Sequence, residues 1–180
     1  MVAYLVSGDR DIEPSGRNLR RAGRRVRDPN VVRDDAAVEM RARRRAIVIA
    51  HGSVDGTVSW FKTAWATRRP WLWVGMPRPP GNVRIYLYCC HAGALLRHHL
   101  RACEVFGHHD VVPMPVDQAR RHVLLFLGEV ERLVGGQVFD AGEWRRELLA
   151  YVDDLLQHEV DHRTGMLVAP ILVMLRISLA

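Results

Sequence analysis

The sequence has few cysteines and no long hydrophobic run. Its 180 residues include three cysteines, and an odd number without regular spacing gives no disulfide framework. The longest apolar stretch, residues 166–175, contains a proline and is well short of the ~20 residues that a membrane-spanning helix requires. The first residues carry no recognisable secretory signal. We therefore expect a cytoplasmic protein that keeps its thiols reduced and does not cross a membrane.

Lysine is almost absent, because Lys62 is the one lysine among 26 basic residues. Residues 10–45 hold 12 arginines against six acidic residues, so the net charge of +6 arises in this Arg-rich N-terminal quarter. An excess of this kind is compatible with a polyanion site, but no groove-reading motif accompanies it. We expect a solvated basic face there and no nucleic-acid partner.

The order of apolar and helical segments predicts the fold class. With 48% hydrophobic and 26% charged residues, the chain has the composition of a globular protein. Strands are predicted at residues 2–6, 46–50, 83–89 and around 110–112, with short helices at 17–26, 34–44, 59–69 and 94–103 and long helices at 116–134 and 143–162. This alternation predicts a single α/β domain over residues 1–180, a three-layer sandwich with a mostly parallel central sheet and helices on both faces.

Two of the predicted strands end in reactive residues. One is followed by His51 and Gly52, and another by Cys90, 39 positions after the histidine. If these strands are parallel neighbours, both side chains emerge at the carboxyl edge of the sheet, where chemistry collects in such folds. A thiolate nucleophile with an imidazole base suits acyl transfer, and the backbone N–H groups of Gly52 and Cys90 are candidate oxyanion donors.

The segments IVIAHGS around His51 and YLYCCHAG around Cys90 resemble the caspase-like cysteine peptidases, in particular the metacaspases and their bacterial relatives. That family carries an apolar strand ending in His-Gly and a later strand ending in Asp-Cys-Cys-His-Ser-Gly. The resemblance spans roughly residues 45–134. It implies a caspase-like fold and a cysteine endopeptidase without a cofactor, in which Cys90 forms an acyl-enzyme with a polypeptide substrate and His51 is the general base.

The resemblance also has a limit and a rival within the same family. Tyr88 stands where metacaspases carry an acidic residue that helps select a basic P1 side chain, so the resemblance does not extend to that specificity. A catalytically inactive caspase-like module would use the same cleft to bind a partner protein. Labelling by an electrophilic peptide separates the two, because an active site requires a reactive Cys90.

A third motif predicts different chemistry. His158, Glu159 and His162 form H-E-x-x-H, in which two histidines on one helix face bind zinc and the glutamate acts as base on bound water. The string QHEVDHRTG resembles the third motif of peptide deformylases, but that family's Gly-rich and cysteine motifs are missing. A third zinc ligand would come from Cys103, Glu104, His108, His109 or His122. We keep a zinc-dependent hydrolase as the alternative and expect activity not to require zinc.

Overall fold

The computed structural model describes residues 2–7, 9–27, 44–55, 57–59, 83–93, 104–113, 120–158 and 165–179. In chain order these residues form β1 (Ala3–Val6), α1 (Glu13–Arg21), β2 (Val26–Arg27), β3 (Arg45–Ile49), β4 (His51–Gly52), β5 (Val58–Ser59), β6 (Arg84–Tyr88), β7 (Glu104–Gly107), α2 (Arg120–Gly135), α3 (Ala141–His158) and α4 (Gly165–Leu179). The helix predicted at 94–103 lies outside these ranges, as do those predicted at 34–44 except for Arg44 and at 59–69 except for Ser59. Ser59 belongs to β5 and not to a helix.

Five strands form a parallel sheet in the order β2-β1-β3-β6-β7. β3 lies at the centre, where Ile47 pairs with Tyr4 on one side and with Tyr86 on the other. β4 and β5 form a separate antiparallel pair beyond the end of β3. The predicted α/β class with a mostly parallel sheet is therefore confirmed.

Strand residues on both faces of the sheet are buried. Tyr4 and Tyr86 belong to the core cluster that α2, α3 and α4 complete, with the Phe126 ring centroid 6.5 Å from that of Tyr86. Val48 and Leu87, which alternate with these residues along the strands, are also fully buried. Burial on both faces explains why the strands are continuous apolar runs rather than alternating patterns.

The first helix and the fourth major strand were predicted in the wrong places. α1 begins earlier than expected, with Pro14 in its first turn, and it ends before Gly23, whose φ of +75° suits a residue just past a helix. β7 precedes the predicted strand at residues 110–112, where Val111 is 47% exposed. β7 pairs with β6, and Pro113 has no N–H with which to extend a strand.

The long helices occur where the amphipathic patterns predict them. α2 and α3 pack on each other and on the sheet through buried apolar residues such as Phe126, Val130, Leu148 and Val152. α4 follows and packs against α3, with Leu172 and Leu175 in the same core. Within the described ranges, no helix is both long and apolar enough to cross a bilayer.

Candidate active site at the carboxyl edge of the sheet

The structure places His51 and Cys90 at one edge of the sheet. Ile49 of β3 and Tyr88 of β6 are partners in the parallel register, and each candidate residue lies two positions beyond its strand partner. The N–H of Ala50 donates to the carbonyl oxygen of Tyr88 at 3.4 Å, which extends the pairing toward the site. The two segments therefore leave the sheet side by side, because the strands are parallel and adjacent.

Gly52 packs directly against the backbone of Cys90. A Cβ atom at Gly52 would overlap the carbonyl oxygen of Cys90 and would lie 2.9 Å from its carbonyl carbon. Only glycine lets two backbones approach this closely. The position is also held from the other side, because Gly52 pairs with Val58 in the β4–β5 ladder. The structure thus brings together the two residues that were predicted to supply oxyanion donors.

The imidazole of His51 faces the carboxylate of Asp9, which was not predicted from the sequence. Its Nε2 lies 3.5 Å from Oδ2 of Asp9, and both side chains are largely buried, with 14% and 13% exposed. The imidazole and the carboxylate are therefore in contact, but Nε2 makes no hydrogen bond within the described residues. Asp9 follows β1, which is the neighbour of β3. The sequence did contain a feature that could have identified Asp9. It is an acidic residue just after the strand predicted at residues 2–6, and parallel strands all end at the same edge of the sheet.

The two adjacent cysteines lie in different surroundings. Cys89 is fully buried, and burial raises the pKa of its thiol well above the usual range. Cys90 is only partly buried, and its Sγ accepts a hydrogen bond from the backbone N–H of Val112 at 3.4 Å. Of the pair, Cys90 is the one whose side chain is not fully buried.

The turn after Cys90 is tied to the loop that follows β7. His91 has a φ of +54°, a left-handed conformation that is uncommon for a residue other than glycine. Its N–H donates to the carbonyl oxygen of Asp110 at 3.1 Å, and the N–H of Gly93 donates to that of His108 at 3.1 Å. These bonds hold the Cys90 turn in a strained backbone geometry, a feature that is concentrated at functional sites.

The H-E-x-x-H alternative is described only at its first residue. His158 is 65% exposed in its side chain, with Nδ1 3.2 Å from Oδ1 of Asp154, whereas Glu159 and His162 lie outside the described residues. Of the proposed third ligands, Cys103 also lies outside the described residues, and His122 is buried on α2. The other three contact protein side chains: Glu104 pairs with Arg84, His108 bonds Tyr86 and Ser178, and His109 contacts Arg145. The described part of the chain contains no group of three or more potential metal ligands.

The site therefore consists of Gly52 against Cys90 and His51 against Asp9. In the described part of the chain, no hydrogen bond joins the His51 imidazole to the sulfur of Cys90, whose partner is the N–H of Val112. Catalytic hydrogen bonds are often long in the absence of substrate and tighten when it binds.

Comparisons with protein-family models, with curated proteins and with solved structures found no match to this chain.

Proposed function

We propose that the protein is a cytoplasmic cysteine endopeptidase of caspase-like type, built as a three-layer sandwich, that cleaves polypeptides through a Cys90–His51 dyad. The observation that carries the proposal is the packing of Gly52 on the backbone of Cys90. This packing places Gly52, the residue after His51, in contact with the residue that carries the proposed nucleophile. The burial of both sheet faces supports the three-layer arrangement.

The chemistry follows from the residue types at this edge. The Cys90 thiolate attacks the scissile carbonyl carbon, and the resulting oxyanion accepts hydrogen bonds from the N–H groups of Gly52 and Cys90. His51 takes the thiol proton and delivers it to the leaving amine as the C–N bond breaks. A water molecule, deprotonated by His51, then attacks the acyl-enzyme and releases the acid and the thiol. The first step requires the imidazole to come within hydrogen-bond reach of the sulfur.

The position before the two cysteines does not supply the acidic group that the resemblance associates with a basic P1 side chain. Tyr88 is fully buried, and its hydroxyl donates to the carbonyl oxygen of Pro113 at 2.9 Å. Its ring lies in the aromatic core beside His108 and Phe126. A side chain in this position contributes neither charge nor surface to a substrate pocket.

Labelling with a peptidyl electrophile tests the proposal, with the modified residue identified by peptide mass mapping. We expect Cys90 in the wild type to react at least about 100-fold faster than Cys103, because a paired imidazole contributes on that scale. His51→Ala should remove most of this difference. Cys89→Ala is the matched control on the neighbouring residue and should leave the rate at Cys90 unchanged. Equal rates at Cys90 and Cys103 would contradict the peptidase and favour the inactive binding module.

Cleavage of a diverse peptide library separates the thiol mechanism from the zinc alternative. We expect wild-type cleavage to be abolished by Cys90→Ala and by thiol alkylation, and to survive a metal chelator. Loss of cleavage on chelation, with full activity in Cys90→Ala, would overturn the proposal in favour of His158, Glu159 and His162.

A further inference from the structure

The loop after β1 brings a carboxylate to the histidine of the site. Val6 of β1 pairs with Ile49 of β3, and the N–H of Ser7 donates to the carbonyl oxygen of Ile49 at 2.8 Å. This bond carries the pairing past the end of β1. Asp9 and His51 therefore leave neighbouring strands at the same level of the sheet.

Local hydrogen bonds hold Asp9 in place. Its N–H donates to Oγ of Ser7 at 3.0 Å, and its carbonyl oxygen accepts the N–H groups of Ile12 at 2.9 Å and Glu13 at 2.7 Å. Its side-chain Oδ1 accepts the N–H of Asp11 at 3.1 Å. With Oδ1 engaged in this way, Oδ2 is the oxygen that faces Nε2 of His51 at 3.5 Å.

The histidine nitrogen on this side needs a partner. Nε2 of His51 is buried and makes no hydrogen bond within the described residues, although Oδ2 of Asp9 lies 3.5 Å from it. A buried imidazole nitrogen that lacks a hydrogen bond is costly, and a carboxylate is the acceptor that catalytic histidines commonly use. For Asp9 to be that acceptor, this 3.5 Å separation must shorten to hydrogen-bond distance.

We propose that Asp9 is a positioning residue: it accepts a hydrogen bond from Nε2–H of His51, so that Nδ1 carries the lone pair that takes the proton of Cys90. The inference rests on the proposed function of the dyad. Asp9 does not touch substrate in this scheme. It selects one tautomer of the base and stabilises the imidazolium that forms when the thiol is deprotonated.

Asp9→Asn tests the proposal with little change of shape. The amide oxygen of the variant replaces Oδ1, because the N–H of Asp11 requires an acceptor there. The amide NH₂ then faces His51 as a donor, which demands a lone pair on Nε2 and moves the proton to Nδ1. We expect long-range ¹H–¹⁵N NMR spectra to show the Nε2–H tautomer of His51 in the wild type and the Nδ1–H tautomer in Asp9→Asn.

The same variants should change the reactivity of Cys90. We expect Asp9→Asn to lower its labelling rate by at least about 10-fold, the lower end of the loss seen for carboxylates that orient metal-bound histidines. Asp9→Glu should restore part of the rate by supplying a carboxylate again. Glu143→Gln, at an exposed carboxylate in the first turn of α3, is the control and should behave as the wild type in both measurements.

The outcomes separate the two proposals. An unchanged His51 tautomer in Asp9→Asn overturns the positioning role, whatever the activity of the protein. A wild type in which Cys90 is no more reactive than Cys103 overturns the peptidase, while the tautomer measurement still reports on Asp9. Selective labelling of Cys90 that depends on His51 but is unaffected by Asp9→Asn leaves the peptidase standing and removes Asp9 from it.

Discussion

The polar side chains at the two ends of the central sheet differ in how completely they are hydrogen-bonded. At the amino end, Arg45 of β3 lies opposite Arg84 of β6. Arg84 is only 5% exposed, yet its guanidinium donates to Oε2 of Glu104 at 2.6 Å and to the carbonyl oxygen of Gly136 at 2.5 Å. Arg45 donates to the carbonyl oxygen of Gly135 at 2.5 Å. These arginines bind the end of α2, where helix carbonyls lack partners and the helix dipole favours a cation.

At the carboxyl end, the polar groups are left incompletely bonded. Nε2 of His51 makes no hydrogen bond within the described residues, and the sulfur of Cys90 accepts one bond, from a backbone N–H. The backbone at His91 is strained as well. At the amino end, the hydrogen-bonded guanidinium of Arg84 contributes to stability. At the carboxyl end, a buried His51 nitrogen without a hydrogen bond is a feature expected of a functional site.

The largest expected effect is a loss of stability at the amino end. Arg84→Met should lower the free energy of unfolding by about 3 kcal/mol, because Glu104 and the α2 carbonyls lose a largely buried partner. Arg45→Met, which removes one exposed hydrogen bond, should cost about 1 kcal/mol. Urea denaturation measures both values. Neither variant should change the labelling rate of Cys90 while the protein is folded, and a slower rate would show that the two ends are coupled.

The next effect breaks the carboxyl end instead. Gly52→Ala should cost about 2 kcal/mol, because the added methyl group must displace the Cys90 backbone. It should also slow Cys90 labelling more than tenfold, since the displaced residue carries the nucleophile. Gly128→Ala on α2 is the control: the nearest atom to its Cβ would be 3.8 Å away, and alanine should stabilise the helix by about 0.5–1 kcal/mol. Wild-type stability in Gly52→Ala would refute the close packing.

The last effect concerns a fully buried histidine near the site and appears only below neutral pH. Nε2 of His108 bonds the Tyr86 hydroxyl at 2.7 Å, and Nδ1 bonds Oγ of Ser178 at 2.7 Å. The Ser178 hydroxyl donates to the carbonyl oxygen of Leu175 at 2.9 Å, so it accepts Nδ1–H and leaves Nε2 to accept from Tyr86. Burial lowers the pKa of His108 to about 3.

This lowered pKa predicts a pH dependence with a definite sign. Below about pH 6.5 the unfolded chain binds a proton at His108 that the folded protein excludes, so stability falls as the pH drops, by up to about 1.4 kcal/mol per unit. Above that pH the residue contributes no slope. Unfolding free energies between pH 7.5 and pH 5 should fall less steeply in His108→Gln than in the wild type. Parallel curves would mean that His108 is protonated in the folded protein.

Much of the site's location could be predicted from the sequence, because it depends on strands that are local in the chain. The apolar runs before His51 and Cys90 identify two buried strands, and parallel pairing then brings their ends together. Asp9 was missed because its contact with His51 depends on which strand lies beside β3, which is decided by the order of strands in the sheet. The fourth strand was misplaced because residues 105–106 and 111–112 are equally apolar, and only pairing with β6 distinguishes them.

The sequence by itself determined the α/β class, the long helices α2 and α3 and the candidacy of His51, Gly52 and Cys90, since apolar periodicity and chain order encode these directly. It did not identify α4 as a helix. The tertiary structure alone decided that Cys89 is buried while Cys90 reaches the edge, and that Asp9 faces His51. Burial and side-chain contact depend on which strands become neighbours. That choice is made by packing between segments far apart in the chain, which no local pattern records.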